Sequence, residues 1–139
     1  MLRTKIARVA SAALVTSLLV VASPPTSQAA PDYKPWGTVK SKNHVLKNGC
    51  NRYIYRYRVN APSDDWSAEI RFISPDGTGL AASKIDSEPQ GPRGKRRVTV
   101  CQPSTSLGRH TIKMEIIYTE GGTLISGRVK PTFFRFVAR

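Results

Sequence analysis

Few side chains in this sequence can carry covalent or metal chemistry. There are two cysteines, Cys50 and Cys101, and two histidines, His44 and His110. A zinc site draws its ligands from short Cys and His spacings, and none occurs here. The cysteines therefore read as one disulfide, which an oxidising compartment favours. No Gly-x-Ser-x-Gly element is present, and no thiol is left over to act as a nucleophile. His110 alternates with apolar residues and reads as a hydrogen-bonded structural histidine at the border of a core. His44, in "KSKNHVLKNG", reads as part of a loop or edge strand. Asp64, Asp65, Asp76, Asp86 and Glu88 fall in turn-forming clusters, where aspartate bonds its own backbone. A calcium ion takes about six to eight oxygens; a site for one would have to combine Asp64, Asp65 and Asp76, without any Asp-x-Asp spacing. These residues predict a protein that is not an enzyme and holds neither metal nor cofactor.

The cations are a different matter. "RYIYRYR" (52–58) alternates arginine and tyrosine around Ile54. On a strand, successive side chains point to opposite faces. Tyr53, Tyr55, Tyr57 and Val59 then share one face, and Arg52, Arg56 and Arg58 the other. Tyrosines could stack bases or sugars while arginines meet phosphates, but residues on opposite faces cannot grip one flat ligand together. The spacing instead predicts core-facing tyrosines under an exposed basic stripe. A second run, "GPRGKRR", adds Arg93, Lys95, Arg96 and Arg97. These seven cations are the candidate anion-binding residues.

A leader is expected at 1–29. Arg3, Lys5 and Arg8 precede the fourteen apolar residues of "VASAALVTSLLVVA" (9–22), and "SPPTSQA" supplies small residues at Ser27 and Ala29. That layout is a secretory signal peptide, too short to span a bilayer with its apolar run. It predicts an exported, extracellular chain with one domain at 30–139 and no later membrane span. The whole chain carries 22 Lys and Arg against 9 Asp and Glu. Removing the three leader cations leaves 19 − 9, or +10. Such a charge attracts anionic polymers (wall glycan, nucleic acid), anionic lipid surfaces or an acidic protein.

The remainder reads as short strands near 36–42, 50–60, 66–73, 79–85, 95–101, 109–118, 123–130 and 132–138. Turn clusters such as "NAPSDD", "SPDGTG", "SEPQGPRG" and "EGG" separate them. In "WSAEIRFI", Trp66, Ala68, Ile70 and Phe72 share a face; in "GRHTIKMEIIY", His110, Ile112, Met114, Ile116 and Tyr118 do. Evenly spaced strands of this kind predict an all-β sandwich or barrel, and the strand pairing that the cysteines imply narrows this to an immunoglobulin-like antiparallel β-sandwich of about seven or eight strands with one disulfide. Cys50 begins one strand and Cys101 ends another, out of phase with Val98 and Val100. Strands 50–60 and 95–101 are therefore expected to be antiparallel neighbours, the second and fifth strands of the sandwich. That pairing would bring Arg97 and Thr99 to the face of Arg52, Arg56 and Arg58, so that these cations share one patch. Trp66 is expected in the core, and Trp36 at the surface near the start of the domain.

"YRVNAPSDDWSAEIRFISPDGTG" followed by "LGRHTIKMEIIY" resembles small secreted bacterial immunoglobulin-like sandwiches, in particular the pre-peptidase C-terminal type of domain. The likeness covers under half of the exported part and rests on turn chemistry. It departs where "AEIRF" replaces aspartates and where His110 stands for an aromatic. The resemblance implies an accessory or binding module and transfers no functional residues. The expectation is a monomeric, non-catalytic binding or adhesion module whose basic sheet face takes an anionic polymer or surface. The alternatives are an extracellular inhibitor or toxin acting through the loop 86–95, or a hydrolase of unfamiliar type.

Overall fold

A computed structural model describes residues 29–139, so the expected leader lies outside the described residues apart from Ala29. Pro31–Arg139 forms one compact unit. It is a two-sheet β-sandwich. Strands β1 (Gly37–Ser41), β3 (Cys50–Val59) and β6 (Arg93–Cys101) form a three-stranded antiparallel sheet in the order β1-β3-β6. Strands β2 (His44–Val45), β4 (Trp66–Ile73), β5 (Gly79–Asp86), β7 (Gly108–Glu120) and β8 (Thr123–Val137) form a five-stranded sheet in the order β2-β8-β7-β4-β5. A short helical turn, α1 (Ser87–Gln90), joins β5 to β6.

The expected pairing of strands 50–60 and 95–101 is present, with Cys50 directly opposite Cys101 and the two bonded as a disulfide. The bond joins neighbours within one sheet, on the face turned away from the core. Setting aside the two-residue β2, these are the second and fifth strands.

Alternation drives the packing. Tyr53, Tyr55, Tyr57 and Val59 are buried together with Val39, Val98 and Val100. Facing them are Trp66, Ala68, Ile70 and Phe72 from β4, and Ile112, Met114, Ile116 and Tyr118 from β7. Burying apolar side chains of this size contributes roughly 1.5–3 kcal/mol each. The tyrosine hydroxyls are satisfied at the margin of the core. Tyr55 donates to Ser83 Oγ at 2.7 Å and so links the two sheets, Tyr57 donates to the Gln90 carbonyl at 3.2 Å, and Tyr53 accepts from the Lys47 amide at 3.1 Å.

Two expectations about strands need correction. Segments 123–130 and 132–138 are one strand, because Pro131 sits in a bulge rather than at a break. Pairing with β7 shifts between Met114↔Val129 and Ile112↔Thr132, placing Lys130 and Pro131 opposite Lys113 alone. A bulge tolerates the missing proline amide. The sandwich is also not purely antiparallel, since β2 pairs in parallel with the end of β8. Asn43 Oδ1 secures that edge by accepting the Arg135 amide at 2.8 Å.

Candidate functional site

Seven of the eight charged residues of the three-stranded sheet lie on one side. Its strands carry Lys40 on β1, Arg52, Arg56 and Arg58 on β3, and Arg93, Lys95, Arg96 and Arg97 on β6, and they contain no Asp or Glu. Register decides which of these share a face. Arg58 lies opposite Arg93, Arg56 opposite Lys95, Ile54 opposite Arg97 and Arg52 opposite Thr99. On the other flank Thr38 lies opposite Arg58 and Lys40 opposite Arg56. Lys40, Arg52, Arg56, Arg58, Arg93, Lys95 and Arg97 therefore stand on one outward face, all exposed, around an exposed Ile54. Neighbouring strands lie about 4.8 Å apart and same-face residues about 6.8 Å apart along a strand. Lys40, Arg56 and Lys95 form a continuous row of three like charges across the sheet.

Strand alternation points to the arginines of this face, and two positions depart from it. Arg96 is on the core-facing phase, opposite Tyr55. As β6 is the edge strand, its side chain turns out to water beside the Tyr55 hydroxyl. Burial pushes the Tyr55 phenol up, against the pull of its Ser83 bond and of Arg96. Lys40 belongs to the face because β1 pairs with β3. The alternation of Thr38 and Lys40 about buried Val39 carries that signal, once the pairing is known.

No counter-charge lies on this face. Among the described residues, the ion pairs are Lys34–Asp32, Arg71–Glu69 and Lys84–Asp86, none of which involves the three-stranded sheet. The surface carries open depressions of about 440 Å³ lined by Arg52, Ile54, Lys95, Arg96 and Arg97, and of about 450 Å³ beside Lys40, Arg56 and Ile54. No aromatic residue is on it, because every tyrosine of β3 is buried. Stacking on rings, the usual means of holding single-stranded bases, is absent from this face.

The acids are placed elsewhere. Asp64, Asp65, Asp86 and Glu88 converge around a depression of about 640 Å³ beside Trp66 and Tyr118, a grouping the sequence did not reveal. Asp76 is remote from it. It follows the far end of β4, an eight-residue strand spanning about 26 Å, so the triad of Asp64, Asp65 and Asp76 is not assembled. Asp76 instead accepts from the Ser74 hydroxyl and the Thr78 amide, and the Ser74 bond first of all holds its carboxyl below the usual range.

The histidines serve the fold. His110 is fully buried rather than at the border of the core. Its Nδ1 donates to the Gly108 carbonyl at 3.0 Å, which leaves Nε2 to accept the Thr105 hydroxyl at 2.7 Å. Phe134 and Phe136 pack on the ring. Burial lowers the pKa of His110 and also that of His44. His44 lies on edge strand β2 with Nε2 3.0 Å from Ser41 Oγ. Trp66 is buried as expected. Trp36 is half-buried, edge-on to Tyr118 at 5.2 Å, so it anchors the entering chain rather than standing free. The 86–95 segment is short and tied down, through Gly91 N to Ser87 O and through Tyr57 to Gln90. A scan of protein-family models finds no match for this chain, and a search of curated proteins finds none either.

Proposed function

We propose that the outer face of β1, β3 and β6 is a docking surface for an extended anionic polymer, and that the protein is an exported binding module without catalytic chemistry. One observation carries the reading: seven exposed cations share one sheet face whose three strands contain no carboxylate. Like charges placed directly across a sheet destabilise it. A chain folded only for stability would set acids among its cations, as Glu69 offsets Arg71 on the five-stranded sheet, whereas β1, β3 and β6 hold none. A bound polyanion would neutralise the array and release its counterions, giving affinity that falls steeply with salt. The lack of exposed rings on this face favours recognition by charge density over stacking on bases or sugars. The expected leader would deliver the protein to a compartment where wall glycans and shed nucleic acid are such polymers.

Retention on heparin and on duplex DNA tests this. The wild-type protein should elute from both at high salt, and replacing Arg52, Arg56 and Arg97 with serine should move elution to markedly lower salt. Unchanged elution of that variant would overturn the reading.

A further inference from the structure

A second surface, on the other sheet, combines charge with exposed apolar side chains. At the end of the five-stranded sheet where β7 begins and β8 finishes, Phe133, Arg135 and Val137 point outward between the buried Phe134 and Phe136. Arg109 lies directly opposite Arg135. Its guanidinium lies 3.6 Å over the Phe133 ring. Leu107 precedes β7 and is 51% exposed; Phe133 is 49%, Val137 42% and Val45, paired with Val137 on β2, 39% exposed.

No carboxylate occupies the outward positions here. Along β7 the outward residues run Arg109, Thr111, Lys113 and then Glu115, six residues on and opposite Arg128. The adjoining end of β4 presents Ile73 and Arg71, and Arg71 is paired with Glu69. Asp76, in the nearby turn, is held by Ser74 and Thr78.

We propose that this end of the sheet seats on an anionic lipid bilayer. Leu107, Phe133 and Val137 enter the boundary between headgroups and acyl chains, while Arg109 and Arg135 hold lipid phosphates. The pattern argues for lipid over a protein partner. A specific protein interface has a contiguous apolar centre with charges at its rim. Here the guanidiniums are interleaved with the apolar groups, one of them stacked on a ring, as in side chains that lie at a membrane surface with charged tips among the headgroups. Arginine also meets phosphate oxygens with two parallel hydrogen bonds. This proposal does not depend on the polyanion face, which is on the other sheet.

Co-sedimentation with vesicles tests it, using protein purified after export and variants prepared alike. Vesicles of phosphatidylcholine alone are compared with vesicles containing phosphatidylglycerol. The expected result is binding to the anionic vesicles only, weakened about fivefold for each of Arg109→Gln and Arg135→Gln, and weakened by Leu107→Ser and Phe133→Ser without change in thermal stability. Leu107 lies outside the strands, so its variant reads the surface even if Phe133→Ser unfolds. The Arg52, Arg56 and Arg97 serine variant should keep lipid binding while losing heparin retention. No binding to either vesicle, equal binding to both, or binding lost only in that serine variant would overturn the proposal. The last of these would assign lipid to the cationic sheet face instead.

Discussion

Replacing Arg56 by threonine should make the protein more stable. Arg56 stands between Lys40 and Lys95 in the row of three cations, with no acid on its strand or on either neighbouring strand. With side-chain tips splayed to about 6–7 Å, each like-charge contact is worth roughly 0.6–0.7 kcal/mol at the dielectric of water. Two such contacts give about 1.3 kcal/mol before screening, and side-chain freedom and salt reduce this to about 1 kcal/mol. Threonine suits a strand and restores no charge. Thermal unfolding in ~10 mM salt should then show a midpoint raised by about 4 °C. In ~0.5 M salt, where the screening length falls to about 4 Å, the gain should shrink to within error. Added heparin should reverse the order at low salt, because a ligand bound more tightly by the wild type stabilises it more. Equal midpoints at low salt, or a difference indifferent to salt, would refute the claim that the face is under electrostatic strain.

Other outcomes follow from the core and its ties. His110 and His44 have pKa values lowered by burial, so the unfolded chain binds more protons below the ordinary histidine value near 6.5. Stability should therefore be level above pH ~7 and fall as pH drops through 6.5, by up to about 1.4 kcal/mol per pH unit for the buried His110 and by less for the partly exposed, solvent-screened His44, as denaturant titrations at several pH values would show. Asp76 has a lowered pKa, and its contribution should persist until pH falls below its ordinary value of 3.8. Replacing Cys50 and Cys101 with alanine opens a loop of sequence separation 51 and should cost about 4 kcal/mol, measurable as a lower denaturant midpoint. Gly37→Ala should destabilise by about 1–3 kcal/mol, since an added Cβ would meet the Arg58 carbonyl and Met114 Cε; an unchanged melting midpoint would contradict that contact.

Much of the architecture was legible because period-2 alternation is strong in β3, β4 and β7. One buried face in each strand fixes which side chains point inward. The pairing of β3 with β6 was legible through the two cysteines at opposite strand ends. Pro131 misled the strand count, since the sequence does not show whether a proline breaks a strand or sits in a bulge. The short parallel strand at His44 and Val45 carries no alternation to read. Of the candidate face, the arginines of β3 followed from phase and Arg97 from phase together with the cysteine pairing, while Arg93 and Lys95 were legible as a basic cluster without a face. Arg96 followed from neither, because a long side chain on an edge strand can leave the core-facing side for water. Neither Lys40 nor the grouping of Asp64, Asp65, Asp86 and Glu88 is visible without knowing which strand ends meet.

The cystine has an effect that its loop length does not describe. It lies across the sheet at the same register as the charges, at the terminus of the ladder joining β3 to an edge strand. Sliding β6 by a single residue would turn Arg93, Lys95 and Arg97 toward the core and swing Arg96 outward. The sulfur bridge forbids that slip. It acts as an alignment pin for a lattice of guanidiniums, so the charge pattern offered to a partner is set once oxidation is complete.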